Sequence, residues 1–525
     1  MLFNSYIFIF IFFPIVFFGF FRIGKFSHAL ASLWLAAASL FFYGWWDIRF
    51  VSLLLGSIVF NFSAGYLISH RLAHVSVRQS KILLGVAIAI NLTLLGYFKY
   101  ANFFVENLNH FTGTSLYIRD VILPLGISFF TFTQIAFLVD TYQGKVKEFN
   151  FVHYTLFVTY FPHLIAGPVL HHKEMMPQFA KRNVCHINWD NVAVGLGIFV
   201  LGLTKKVLIA DSLSDFSTPI FSAVAAGGQP MLFEAWIGAL AYTFQLYFDF
   251  SAYSDMAIGL SLMFNVRLPM NFNSPYKANN IIDFWRRWHM TLSRFLRDYL
   301  YIPLGGSHNG KAHRYLNLMI TMLLGGLWHG AGWTFVIWGG LHGFYLIINH
   351  AWRDLKKYMG WRDGGKLAKL GATAITFMAV VVGWVFFRAD TLTSAISMLH
   401  GMAGINGVSL PIKLGHYFTQ NDKIIYTGIF TLASLSLSKC CLVLISSFTI
   451  VWALPNVRQI FIHYRPTCED MKEEKQSAVS ASRPLLSYLQ WHPTKLQAIC
   501  YGVLFFMILS FMASAGKSEF LYFQF

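Results

Sequence analysis

The chain has 525 residues, 56% hydrophobic and only 12% charged, with a formal net charge of +17. A soluble domain carries about 25% charged residues, and the repeated long apolar runs here make this a polytopic membrane protein. Backbone groups in lipid need internal partners, which predicts helices; the alternating pattern of a membrane barrel is absent. The basic excess follows the positive-inside rule, with a remainder available for an anionic cytoplasmic ligand. Its spread over short loops argues against nucleic acid. The five cysteines show neither metal-ligand spacing nor a disulfide framework.

Residues 1–21 are rich in Phe and Ile and lack the basic start and cleavage site of a signal peptide, so they read as a retained first helix. Arg22 and Lys25 put its C-terminal end inside and the N-terminus outside. Residues 28–46 and 49–70 form a hairpin pair that ends at the basic residues Arg71, Arg78 and Lys81. Residues 82–98 lead outward to a polar segment, Lys99–Asp120, and the run from Pro124 returns to Gly144 and Lys145. Over 151–170, Pro162, Gly167 and Pro168 stand too close together for a straight helix, which predicts a bent or re-entrant segment.

Spans near 191–210 and 231–262 follow, separated by a polar interval from Asp211. The second holds Asp249 and Asp255 in an apolar run. Such carboxylates face the bundle interior and need a basic partner, for which the Arg286/Arg287 region is a candidate; substrate contact is the other reading. Residues 265–315 and the loop from Arg353 to Lys369 are strongly basic and read as cytoplasmic. Apolar runs at 371–387 and 424–453, a mixed-charge loop at 465–483 and a helix at 496–514 leave the C-terminus outside. The count is about eleven or twelve membrane segments, with no internal repeat and no separate soluble domain.

The stretch Asp283–Tyr345 stands apart. Arg286, Arg287, His289, Arg294, Arg297, His329 and His342 lie in or beside its aromatic and apolar runs, and an ionisable group within a span marks function. Trp, Gly and His alternate so closely at Gly325–Trp333 that a plain spanning helix is not expected. Basic loops on both sides put His329 near the turn of a hairpin inside the membrane. Its neighbours Trp328, Gly330 and Gly332 exclude water and admit a ligand, so its imidazole can serve as a general base. A histidine bonded to a nearby carbonyl is the plain alternative. His289, in R-R-W-H, reads as a cap or interfacial anchor or as part of a substrate channel, and His342 as a close-packing residue. No G-x-S-x-G elbow and no metal-spaced His/Glu set occur, so serine and zinc hydrolase chemistry is unsupported and no metal is expected.

The segments L-P-L-G-I-S-F-F-T-F, Y-F-P-H-L-I-A-G-P, Y-F-D-F-S-A-Y-S-D-M-A-I-G, F-W-R-R-W-H-M-T-L-S, G-G-L-W-H-G and G-W-V-F-F-R-A-D (Gly383–Asp390) together resemble the membrane-bound O-acyltransferase family, in its bacterial alginate O-acetylase branch. The pairing of R-R-W-H with L-W-H-G is highly specific. The resemblance covers most of 40–390 and both extremities, and 405–495 matches less clearly. It implies one all-α polytopic domain over 1–525, with re-entrant helices, arranged as a ring around a thin waist with funnels on both faces. The family histidine maps onto His329 and the other recurrent histidine onto His289.

The same resemblance implies acetyl-CoA as donor, with no tightly bound cofactor, and Arg286, Arg287, Trp288 and Trp328 against it. It further implies the bacterial inner membrane, periplasmic termini, and a periplasmic SGNH-type or similar acetyltransferase that passes the acetyl group to an exported polysaccharide such as alginate. The tail after the last helix, 515–525, ends in F-L-Y-F-Q-F and matches an F-x-Y-F-x-F acyl relay through Tyr522. Two other readings of the tail stay open: an apolar interfacial anchor, and a near-match to a protease tag. Two rival functions stay open as well. A teichoic acid D-alanyltransferase would be shorter, with its relay tyrosine on a separate small protein; a proton-coupled transporter would show inverted repeats.

Overall fold

The computed structural model describes every residue except 75, 119–120, 362–363, 414–423, 469–488, 515–519 and 522–525. Tyr522 and most of the 465–483 loop therefore lie outside the described residues. The described residues are mostly helical; a two-residue parallel pairing, Val408–Ser409 with Ile424–Ile425, is the strand content among them. Among the described residues, five helices are long and apolar enough to cross a membrane: Arg49–Leu72, Val77–Thr112, Trp189–Ala225, Lys366–Arg388 and Lys495–Ser514. The last of these buries Ile508 alone and exposes Ile499, Val503, Phe506 and Phe511. An apolar surface of that kind is untenable in water and fits lipid.

The first helices are α1 (Phe13–Gly24), α2 (His28–Gly44), α3 (Arg49–His74) and α4 (Val77–Thr112). Ser27 caps α2 by accepting from the Leu30 N–H, and left-handed Gly113 ends α4. Lys99 is thus not the start of a polar segment: α4 runs through it, because its side chain finds partners inside the bundle. α3 and α4 are joined at a buried amide pair, Asn61 and Asn91, which exchange hydrogen bonds of 3.1 and 2.7 Å. Such pairs hold helices together where the lipid supplies no hydrophobic drive.

α5 (Ile127–Tyr142) and α6 (Phe151–Thr159) follow. The helix stops there, and residues 160–171 run buried without regular structure, as the Pro/Gly spacing predicts. Three side-chain contacts hold this stretch, the first from the Phe161 N–H to Ser39 Oγ at 3.1 Å. Val169 N–H donates to Thr291 Oγ1 at 2.9 Å, and His171 Nδ1 meets the Tyr299 hydroxyl at 3.1 Å. Beyond α7 (His172–Phe179), α8 (Trp189–Thr204) continues through a π-helical turn, Lys205–Ala210, into α9 (Asp211–Ala225). Asp211 begins no polar break, because its carboxylate is neutralised by Lys206 at 2.9 Å.

α10 (Leu232–Met263) is buried along nearly its whole length and forms the axis of the bundle. Its two aspartates are paired, but not with the Arg286/Arg287 region. Lys206 reaches Asp249 at 2.7 Å and Lys205 reaches Asp255 at 2.5 Å. The π-helical turn places two successive lysines against one neighbouring helix. Short α11 (Ile281–Trp285) and α12 (Met290–Leu296) lead to the hairpin of α13 (Gly310–His329) and α14 (Trp333–Tyr358). That hairpin packs backbone to backbone: a Cβ on Gly326 would stand 2.3 Å from the Phe335 carbonyl, and one on Gly339 2.3 Å from the Met322 carbonyl. Its open end is closed by Lys311 on Asp354 at 2.9 Å, so both basic flanks share one face. α15 (Lys366–Arg388) packs against α14; α16 (Leu392–Met402), α17 (Leu437–Ala453), α18 (Val457–Ile460) and α19 (Lys495–Ser514) complete the chain.

Candidate functional site

His329 is the last residue of α13, and the chain turns at Gly330–Gly332 before α14. The hairpin expected from the flanking charges is present, though the helix persists through Gly325–Gly326 as far as His329. Gly330 is extended, and a Cβ there would lie 2.2 Å from the Phe335 ring, so a larger residue would force that ring to move. His329 is 7% exposed, His289 and His342 0%.

Tryptophans separate these three histidines. The His289 ring centroid lies 6.3 Å from Trp328, Trp328 4.8 Å from His329, His329 5.0 Å from Trp338 and Trp338 4.9 Å from His342. The wall behind Trp328 is a stack through Phe132 at 5.3 Å to Phe295 at a further 4.3 Å. On the other side α15 contributes Phe387, 5.2 Å from His329, and Trp384, stacked on Trp338 at 5.7 Å. This gives the Gly383–Asp390 segment a physical role: it closes the site with rings.

His289 does not sit in a helix. It precedes α12 with φ 43°, in the left-handed region that a non-glycine residue occupies at a cost of about 1–3 kcal/mol. Asn271 holds it there: His289 Nδ1 donates to Asn271 Oδ1 at 3.0 Å, and the Met290 N–H donates to the Asn271 carbonyl at 3.0 Å. Fixing the proton on Nδ1 makes Nε2 the basic nitrogen. The Phe250 ring packs edge-on against it at 4.8 Å.

The residues expected against a donor divide. Trp328 stands between the two histidines. Trp288 is buried away from His329, on Phe284 at 5.7 Å and Trp384 at 4.9 Å. Arg286 is exposed, and Arg287 is held by Asp283 at 2.9 Å. Neither arginine enters the aromatic site, because the turn at Arg286–Trp288 sends them outward while His289 turns in. A separate cavity of about 460 Å³, lined by Lys181, His186, Asn188 and Arg267 among others, contains none of the predicted residues.

The C-terminal tail returns to the bundle. Phe520 is 1% exposed, edge-on to Tyr253 at 5.0 Å and beneath the Lys206 ammonium at 4.7 Å. The Leu521 N–H donates to Asp249 Oδ2 at 2.9 Å. Asp249 precedes Phe250, the residue packed on His289, so the described tail ends one α10 position from the site's wall. Sequence reasoning missed Asn271, Trp338 and the Asp249 seat; the placement of each depends on contacts between segments remote in the chain.

The family model for membrane-bound O-acyltransferases matches residues 83–387. The chain is 44% identical over 479 residues to a peptidoglycan O-acetyltransferase of Helicobacter pylori, covering 85% of this chain and 89% of that protein. It is similar to two proteins described as probable alginate O-acetylase AlgI. The one from Pseudomonas aeruginosa is 44% identical over 77% of this chain and 75% of its own length. The one from Azotobacter vinelandii is 38% identical over the whole of both.

Proposed function

Because the chain belongs to the membrane-bound O-acyltransferase family, we propose that it takes an acetyl group from cytoplasmic acetyl-CoA and passes it through Tyr522 to the periplasmic side of the bacterial inner membrane. There a periplasmic SGNH-type or similar acetyltransferase delivers it to an exported polysaccharide, alginate-like or peptidoglycan. The protein is a multi-pass O-acyltransferase. Its finer architecture in this reading is about eleven or twelve membrane segments, some re-entrant, in a ring around a thin waist with funnels on both faces and both termini periplasmic.

In this mechanism His329 takes the proton of the Tyr522 phenol, and the phenolate attacks the thioester carbonyl. The carbon–sulfur bond breaks, the thiolate leaves with the proton held by the imidazolium, and the acetyl group rests on tyrosine. An unperturbed phenol ionises at about 10 and a thiol at about 8.5, so the two esters are similar in activation. His289 lines the path, with Trp328 as the wall shared by both histidines. Arg286 and Arg287, outside the aromatic site, are suited to the donor's phosphates rather than its acyl end.

The observation that carries this reading is the docking of Phe520 and Leu521 inside the bundle, immediately before Tyr522 in sequence. A plain interfacial anchor would leave Phe520 at the surface. The test is Tyr522→Phe in proteoliposomes supplied with acetyl-CoA. The variant keeps its ring and should fold normally, yet lose both outward transfer and the acetyl ester that wild-type C-terminal peptide should carry. Wild-type transfer by Tyr522→Phe would reduce the tail to an anchor.

A further inference from the structure

α13 ends abruptly at His329, because Gly330 is extended. A helix end leaves its last carbonyls without backbone donors, and inside a membrane protein each of them needs another partner. Two consecutive residues of α4 supply those partners. The Tyr100 hydroxyl donates to the Leu327 carbonyl at 2.7 Å. The Lys99 ammonium donates to the carbonyl of Trp328, to that of His329 at 3.3 Å and to Ser128 Oγ at 3.3 Å.

The donor count matches the site. An ammonium has three N–H groups and no acceptor, and the break presents two carbonyls with the Ser128 hydroxyl beside them. Among the described residues no carboxylate pairs with Lys99, so its charge is compensated by carbonyl dipoles at the negative end of α13. Its Nζ also lies 5.8 Å from the Trp328 ring. A half-buried cation with no counter-ion is costly. A neutral donor would satisfy one or two of these carbonyls at lower cost, so a requirement for the third bond or for the charge must hold it there.

We infer that Lys99 and Tyr100 are positioning residues for the acyl-transfer site. They fix the backbone of residues 327–329 and so set where the His329 imidazole meets the reacting atoms. The inference rests on His329 being the base. It separates the hairpin that carries the base from the helix that aims it. Lys99→Met removes all three hydrogen bonds while keeping an aliphatic stem, and Tyr100→Phe removes one at almost constant shape.

The experiment compares full-length wild type, Lys99→Met, Tyr100→Phe and His329→Ala in proteoliposomes, following thiol release from acetyl-CoA. Amounts are normalised by monodisperse protein and by detergent melting temperature. A misplacement of about 1 Å can cost 10²-fold. Lys99→Met should therefore lose kcat by roughly that factor and Tyr100→Phe by roughly tenfold, each with KM for acetyl-CoA within about twofold because donor binding is untouched. Adding Lys99→Met to His329→Ala should cost nothing further, since both act through one group. Unchanged kcat in both single variants, or losses confined to the yield of folded protein, would overturn the assignment. If His329→Ala itself retains transfer, the base reading fails instead, and that result is seen separately.

Discussion

The bundle buries polar chemistry in two regions built on opposite terms. Around α10, charges meet charges: Lys206 lies between Asp249 and Asp211, and Lys205 reaches Asp255. Around the α13–α14 turn, His289, His329 and His342 are walled by Trp328, Trp338 and Trp384. An imidazole can be buried neutral, whereas a carboxylate or ammonium needs a partner. The ion-paired region is therefore suited to holding something in place, as it holds Leu521 through Asp249. In the proposed mechanism it is the imidazole region that takes up and gives back the proton.

Four single substitutions and one double probe that contrast. The largest effect belongs to His329→Ala, which should lower acetyl transfer by about 10²–10⁴-fold with the melting temperature nearly unchanged; thiol release from acetyl-CoA measures it, and near-normal turnover would remove the distinction between the regions. Asp249→Ala should behave in the opposite way. Breaking one partner out of a buried pair costs at most about 3–5 kcal/mol and Lys206 keeps Asp211, so thermal stability in detergent should fall by less than that while protease cuts the freed tail. Pairing it with Lys206→Met should restore stability only in part, because Asp211 then loses the Lys206 ammonium, and should not restore tail protection. Recovery of both would mean that the pair does not seat the tail.

Asn271→Ala tests the neutral region from its edge. It strips the Nδ1 partner from a strained His289, so transfer should fall by roughly tenfold, at the low end for loss of a positioning group. If kcat and KM both hold, His289 is a packing residue. The smallest effect is expected of Asp283→Asn, which breaks the partly exposed pair between Asp283 on α11 and Arg287 in the turn after it. Such pairs contribute about 0.3–0.5 kcal/mol, and a shift in melting temperature of a degree or so is the expected reading.

The sequence by itself determined the class of the molecule. Low charge, long apolar runs and Pro/Gly punctuation are local, and the helices and the buried irregular stretch at 160–171 follow from them. It also singled out His329 as the residue at a hairpin turn, because W-H-G-x-G-W and the basic flanks are both readable along the chain. Pairing was not readable. Asp249 and Asp255 needed cations, but Arg287 is satisfied four residues away by Asp283, and the lysines that meet the carboxylates are brought in by the π-helical turn and the packing of α8 against α10. Lys99 looked like the edge of a loop, since a lone lysine in an apolar run carries no sign of the carbonyls it will reach. Those carbonyls exist only where α13 breaks against α4, some 230 residues further along. Side-chain type fixes what a residue needs, whereas only tertiary packing decides which distant group supplies it.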